Sequence, residues 1–301
     1  MRLLFWRQPQ VAAETPEAPR RWTWLRGRRI LTTTPYVLPK DKAEGDRLDL
    51  QHHLLKIAAG GLYRAPIRQP HSILDVACGT GIWGREMAQQ FSRAQVIGFD
   101  IDRTPLERSM ELLGPGGQFP TNFLFQVADA LKRFPFEDES FDFVHGRLMS
   151  PFIPKDQWPH IVAEMMRVLK RGGCIELVDM ERPPFCDSTA YHTIERAISQ
   201  LMERRGLYVG VGDELAKHLA AAGAKHIQQR TFLLGGGRQA KRERRLLATD
   251  VLAIQGNMKA ILVQTGSFTE AQFDEVYQRS KEEVTESGIV MPIVFAFGKK
   301  L

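Results

Sequence analysis

The spacing of apolar residues changes period several times along the chain, and each change marks an element. Over residues 44–59, Leu48, Leu55 and Ala59 recur at helical spacing while Leu54 and Ile57 broaden the stripe, so a helix precedes any strand. Residues 71–76 form a short apolar run that ends in a glycine-rich turn, and 82–91 return to a helical pattern. Residues 94–100 read as a second strand. Thr104-Pro105-Leu106-Glu107 then opens a helix with a capping-box pattern and proline at the first helical position. Two more strands are predicted at 123–127 and 141–145, the second introduced by the turn-rich Glu137-Asp138-Glu139-Ser140. Ile161, Met165, Val168 and Leu169 keep one face of a helix that Arg171-Gly172-Gly173 ends, and 174–178 is a fifth strand.

Strands alternating with helices imply a mostly parallel sheet covered on both faces. Beyond residue 180 that rhythm is lost. Helical patterns at 189–205 and 213–222 precede a strand at 226–234, and mainly helical sequence runs to about 286. A last strand at 289–297 contains Pro292, which suits an edge or a bulge. The prediction is an α/β fold: a doubly wound, mostly parallel seven-stranded sheet with an antiparallel C-terminal pair. The roughly fifty helical residues inserted in that pair exceed an ordinary connection and suit a lid. Residues 1–35 carry no period and read as a loosely ordered arm, 36–66 as a helical cap, 67–180 as the core, and 181–301 as acceptor-side helices and terminal strands.

Composition is ordinary for a globular chain, with 301 residues, 43% hydrophobic and 25% charged. The net charge of +6 suggests a nucleic-acid partner until it is located. Residues 1–30 hold seven arginines against two glutamates, so nearly all the excess lies in the arm and the rest is close to neutral. No nucleic-acid partner is expected. Trp6, Trp22 and Trp24 among those arginines allow weak contact with an anionic membrane surface. A second basic cluster, Arg238, Lys241, Arg242, Arg244 and Arg245, reads as a solvated face. No run of about 18 apolar residues is present, and the short apolar start ends at Arg7 without a cleavage site, so neither a span nor a signal peptide is expected. Cys78, Cys174 and Cys186 fit neither a disulfide framework nor a metal site, which leads us to expect a reducing, cytoplasmic setting and no metal.

The chemistry gathers at strand ends. Asp75-Val76-Ala77-Cys78-Gly79-Thr80-Gly81 places a carboxylate and then small residues where a ligand can approach backbone. Gly79 to Gly84 also matches the GxGxxG dinucleotide fingerprint, so the loop alone does not separate S-adenosylmethionine (SAM) from a nicotinamide cofactor. Asp100, followed by Ile101, ends the second strand, where a carboxylate can accept from ribose hydroxyls. Asp129-Ala130 ends the third, where a carboxylate can accept from an adenine amino group. As a set over residues 71–180, these spacings resemble class I SAM-dependent methyltransferases, with Ala77 standing where that family usually has its first glycine. Upstream, Tyr36-Val37-Leu38-Pro39-Lys40-Asp41 and Asp46-Arg47-Leu48-Asp49-Leu50-Gln51-His52-His53 resemble the N-terminal signature of the fungal LaeA-like and related bacterial methyltransferases. The resemblance implies SAM as cofactor and a specialised small molecule as methyl acceptor. Some members of that group are regulators, so a non-catalytic SAM-binding regulator stands as an alternative, and the GxGxxG match leaves an NAD(P)-dependent oxidoreductase as a less favoured one.

The candidate cofactor-binding residues are Asp75, Ala77, Gly79, Gly81, Asp100, Ile101, Asp129, Ala130, Arg47 and His145. Asp75 either contacts the cofactor or caps its own loop. Arg47 and Gln51, four apart beside His52, either fold over the cofactor's carboxylate end or form a salt bridge. After the fourth strand, His145, Arg147 and Met149 should face the methyl group. His145 is the candidate catalytic base, the alternative being a histidine bonded to local backbone. Tyr36, His192 and Tyr208 are candidates for shaping the acceptor pocket, and Cys78 reads as a small loop filler. The helices at 185–210 and 240–287 should roof the acceptor. Leu246, Leu247, Val251, Ile254, Met258, Ile261 and Leu262 supply an apolar face in the second stretch.

Overall fold

A computed structural model describes residues 22–25, 28–31, 38, 41–111, 119–236 and 240–301. The strands Trp22–Leu25 (β1) and Arg28–Leu31 (β2) pair antiparallel where the sequence predicts a loosely ordered arm. Trp22, Thr23, Trp24 and Ile30 are good strand formers, and the arginines that dominate the segment conceal that preference. The helix Lys42–Ala59 (α1) follows. Asp41 caps its start by accepting from the Glu44 amide at 3.1 Å, and Gly60 ends it in the left-handed conformation at φ +65°.

The alternating unit runs through Ser72–Val76 (β3), Ile82–Gln90 (α2), Gln95–Asp100 (β4), Thr104–Glu111 (α3) and Phe123–Val127 (β5). Phe141–Arg147 (β6), Trp158–Val168 (α4) and Leu169–Met180 (β7) complete the parallel portion. Next come Thr189–Arg204 (α5), Gly212–Ala221 (α6) and Lys225–Leu234 (β8). Lys241–Gln264 (α7), Glu270–Ser287 (α8) and Met291–Lys299 (β9) close the chain. The seven-stranded sheet has the order β5-β4-β3-β6-β7-β9-β8, with β9 antiparallel to both neighbours and α7 and α8 inserted between β8 and β9.

Two expectations are corrected. Leu169 is the first residue of β7, because the helix before it ends at Val168 and the Arg171-Gly172-Gly173 stretch is carried within an extended strand. Pro292 lies in an interior strand rather than at an edge. It is the second residue of β9, and its carbonyl accepts from the Glu181 amide at 3.0 Å.

All five residues of β3 are buried, as are Phe143 and Val144 of β6 and Ile175 and Leu177 of β7, the apolar runs of strands covered on both faces. Helix α7 is long and apolar enough by composition to cross a bilayer. Here its Leu247, Val251, Met258 and Leu262 are buried within protein. The order of connection reverses at β3, whose neighbours are β4 on one side and β6 on the other, so a crevice opens beyond the carboxyl ends of these strands.

Candidate active site

The base of that crevice is built by backbone. After β3 the chain turns sharply through Ala77 (φ +55°), Gly79 (φ +58°) and Gly81 (φ +70°), three left-handed residues within five. Ala77 takes a conformation that costs a non-glycine residue roughly 1–2 kcal/mol, so the departure from glycine keeps the turn and loads it with strain. Beyond Gly79, a Cβ would meet nothing closer than Leu48 Cδ1 at 3.9 Å, which leaves room for a ligand against the backbone. The Gly79 amide donates to Asp100 Oδ2 and the Asp102 amide to Asp100 Oδ1, each at 3.1 Å. These bonds orient the carboxylate at the end of β4. At the end of β5, Asp129 Oδ1 accepts from the Leu131 amide at 3.0 Å, a local turn that points the residue at the same crevice.

Two features of this loop serve packing. Gly81 and Gly84 let α2 approach the sheet: a Cβ at Gly84 would fall 2.5 Å from Phe123 Cε2, and one at Gly81 would fall 2.9 Å from Leu106 Cδ1. Cys78 packs its sulfur over Gly98, where a Cβ would lie 2.9 Å from Sγ. Burial pushes the Cys78 thiol well above its ordinary range, reinforced by Asp75 and Asp100, so it is an inert filler.

Helix α1 forms one wall and is tied to its surroundings by ion pairs and hydrogen bonds. Thr80 Oγ1 donates to Asp49 Oδ1 at 2.6 Å, joining the loop to the helix. Arg47 binds Glu44 through Nε and Nη2 at 2.9 and 2.7 Å, and Asp250 of α7 through Nη1 at 2.8 Å. All three side chains are buried, and Gln51 Nε2 also donates to Asp250 at 3.3 Å. The salt-bridge alternative for Arg47 and Gln51 is therefore realised, with Arg47 still lining the crevice. Arg147, the last residue of β6, donates through Nη1 to His52 Nδ1 at 2.8 Å. Burial, and then the Arg147 charge, push the His52 pKa down to about 2, so its ring is neutral.

One cavity of about 260 Å³ runs from this base to a roof of helices. Its cofactor-side lining includes Ala77, Gly79, Asp100, Ile101, Asp129 and Ala130. Tyr191, Glu195, Ile198 and Met202 of α5 and Val251, Ile254 and Met258 of α7 close it from above. Helix α8, included in the expected roof, contributes no lining residue and instead packs behind α5 and α7, and Leu247 and Leu262 turn into apolar clusters.

Three predicted site residues do not reach this cavity: Asp75, Gly81 and His145. His145 is paired with Asp75 in the sheet register and lies two residues before Arg147, about 7 Å deeper along the strand. Trp83 stacks on its ring at 3.8 Å between centroids, and burial lowers its pKa against the opposing pull of Asp75. Its Nδ1 is 3.4 Å from Asp75 Oδ1 and its Nε2 is 3.9 Å from Glu176 Oε1. A histidine walled in this way belongs to the support beneath the loop and cannot meet an acceptor. Met149 packs on Gly146 inside the core, where a Cβ would meet its Cε at 2.9 Å. His192 bonds the Cys186 carbonyl, Tyr208 packs on Trp158 and His218, and neither lines the cavity; Tyr36 lies outside the described residues.

Sequence reasoning missed Asp49, Tyr191 and Glu195. For Glu195 a signal was present. On α5, Tyr191, Ile198 and Met202 recur at helical spacing, and Glu195 falls on the same stripe, an acid where the pattern asks for an apolar residue.

Residues 73–173 match the family model described as a methyltransferase domain. Together with the strand order and the carboxylates at or just past the strand ends, this gives the core of the chain the architecture of class I methyltransferase domains, whose cofactor is SAM. Within that class the domain is similar to LaeA-like proteins. The chain is 33% identical over 159 residues to the secondary metabolism regulator LAE1 of Cochliobolus heterostrophus, covering 50% of this chain and 48% of that protein. It is 32% identical over 149 residues to the methyltransferase str3 of Strobilurus tenacellus, covering 49% and 50%. The chain thus spans about half the length of the curated relatives it matches. Among solved structures, the YcgJ protein of Bacillus subtilis aligns with a TM-score of 0.51 at 17% identity, covering 83% of this chain and 98% of that one. At that identity the likeness concerns the fold. The site fits the cofactor on its own geometry: left-handed backbone with open space at Gly79, then carboxylates at the ends of β4 and β5. The nicotinamide alternative left open by GxGxxG is set aside.

Proposed function

We propose that the chain is a SAM-dependent methyltransferase whose acceptor is an apolar, ring-containing small molecule of specialised metabolism. The observation that carries this reading is that the cofactor loop and the apolar faces of α5 and α7 line one cavity. Bound SAM supplies a methyl group on a sulfonium. In this reading Asp100 accepts from the ribose hydroxyls, Asp129 accepts from the adenine amino group, and Ile101 and Ala130 flank the base. Such a transfer needs in-line approach more than acid–base help, so an enclosed and oriented acceptor supplies much of the acceleration. A purely SAM-binding regulator has no need of a second, apolar compartment over the cofactor. The names of str3 and of the N-methyltransferase verN of Clonostachys rogersoniana, 33% identical over 149 residues, support catalysis.

The test is calorimetry with SAM, its thioether product S-adenosylhomocysteine (SAH), NAD and NADP, followed by transfer of labelled methyl to ring-containing metabolites. Binding of SAM and SAH alone, with label transferred to at least one such acceptor, is the expected result. Binding of NAD without SAM would sink the reading.

A further inference from the structure

Resting on that reading, we propose that Glu195 is the acceptor's anchor and proton acceptor, so that the acceptor carries a hydroxyl or amine on an otherwise apolar ring system. Seven side chains reach the cavity from α5 and α7, and six of them are Tyr191, Ile198, Met202, Val251, Ile254 and Met258. Glu195 is the one ionisable carboxyl in that roof. No cation among the described residues pairs with it. The groups facing it are Tyr191, whose hydroxyl donates to Oε2 at 3.5 Å, and Ser199, both on its own helix. Burying a carboxyl among apolar groups is costly unless something satisfies it. Glu195 is half-buried, and with Tyr191 at the limit of a hydrogen bond and Ser199 as its side-chain donors, its carboxyl keeps acceptor capacity for a donor that enters the cavity.

The chemistry follows from the position. An acceptor O–H or N–H that enters beneath the roof meets Glu195 as the one carboxylate that α5 and α7 present, on a face otherwise built mainly of apolar side chains, which favours ring compounds carrying a heteroatom handle on that side. In the transfer, the heteroatom lone pair forms the bond to the methyl carbon. The carbon–sulfur pair leaves with sulfur, and the acceptor's proton passes to the Glu195 carboxylate. Burial pushes the Glu195 carboxyl up to about 7, which suits a group that takes a proton near neutral pH and releases it to solvent afterwards.

The experiment loads the full chain with SAH and titrates β-naphthol, β-naphthylamine and naphthalene by calorimetry, in wild type, Glu195→Gln and Glu195→Leu. In wild type we expect the hydroxyl and amine probes to bind about ten-fold tighter than naphthalene. Glu195→Leu should erase that preference with SAH affinity unchanged. Labelled methyl transfer to β-naphthol should rise with pH through about 7 in wild type, and lose that limb in Glu195→Gln. Equal binding of all three probes, no binding of any, or a preference that survives in Glu195→Leu overturns the proposal. A wild-type protein that fails to bind SAH overturns the methyltransferase reading instead, so the two failures are distinct. Melting temperature of each variant separates a folding defect from lost recognition. If Glu195→Leu does not fold, the isosteric Glu195→Gln decides through the pH limb.

Discussion

At the base of the cavity, Ala77, Cys78, Gly79 and Thr80 are consecutive residues of one loop, whereas the roof draws its seven residues from α5 and α7, helices separated by β8 and α6. The base is written in backbone: left-handed residues and amides fix where Asp100 points. The roof is written in side chains, each replaceable by another of similar volume at modest cost. A ligand that never varies is held by the first kind of surface. The second kind can be retuned, and here it holds a single carboxyl, Glu195. The two are joined through α1. Thr80 ties the loop to Asp49 of α1, and Arg47 and Gln51 tie α1 to Asp250 of α7, while lower in the sheet Asp179 of β7 holds the loop after β6 through Ser150.

The largest effect should come from breaking the tie between α1 and α7. Arg47→Ala leaves the buried Glu44 and Asp250 carboxylates without their cation, and stability should fall by about 3–5 kcal/mol. Urea unfolding measures it; a loss below about 1 kcal/mol would mean that base and roof do not depend on this pair. The Asp179–Ser150 contact has a pH signature. Burial pushes the Asp179 carboxyl up to about 6, although it accepts from Ser150 Oγ at 2.7 Å and from the Ser150 amide at 3.0 Å. A raised acid keeps its proton in the folded state where the unfolded chain has lost it. Its contribution is therefore complete below about pH 4 and is lost as pH rises through about 6. Asp179→Asn should remove that decline, on the order of 2–3 kcal/mol across the window, measured as stability at several pH values against wild type. Parallel curves for the two proteins would contradict it.

Next in size is the base itself. Asp100→Ala should weaken SAM by about 1–3 kcal/mol, since it removes the proposed acceptor for ribose hydroxyls and the carboxylate that the Gly79 amide binds. Calorimetry on a folded variant decides; unchanged affinity would show that the carboxylate only braces the loop. The roof should respond differently. Ile254→Ala, which trims a half-buried cavity-facing side chain, should weaken β-naphthol binding to the SAH-loaded protein by about 1–2 kcal/mol and leave SAM affinity alone. Loss of both affinities together would collapse the distinction between the two surfaces.

The same contrast explains what the sequence disclosed. The base was legible because its residues are constrained in type and position: Asp100 ends β4, Gly79 and Asp129 lie two or three residues past the ends of β3 and β5, and all three reach the cavity. The antiparallel β9 and the helical insertion were legible from period and length alone. His145 was misplaced because a strand pattern gives alternation but not depth. Nothing in Phe141–Arg147 says which residue of the strand reaches the rim, and Trp83 covers the histidine from another element. Helix α8 was assigned to the roof because an apolar face does not name its partner. Glu195 was readable as an acid within an apolar stripe, but the stripe gains that meaning only once α5 is seen to border a cavity. The strands β1 and β2 were hidden by the charge that drew attention to their segment.

The smallest predicted effect concerns Ala77, where the base departs from the glycine usual in class I methyltransferases. Ala77 holds φ +55° without being glycine. Returning it to glycine relieves roughly 1–2 kcal/mol of left-handed strain. The same change costs about 0.5–1 kcal/mol because glycine loses more backbone freedom on folding. The two nearly cancel, so Ala77→Gly should stabilise the protein by no more than about 1 kcal/mol, seen as a small rise in denaturation midpoint at unchanged slope. Ala77→Val sharpens the measurement, because a β-branched residue tolerates left-handed backbone worst and should fall well below wild type. The expected order is glycine, alanine, valine. If glycine instead proves less stable than alanine by more than about 1 kcal/mol, the entropy cost outweighs the strain, and alanine at this turn is a gain in rigidity rather than a tolerated defect.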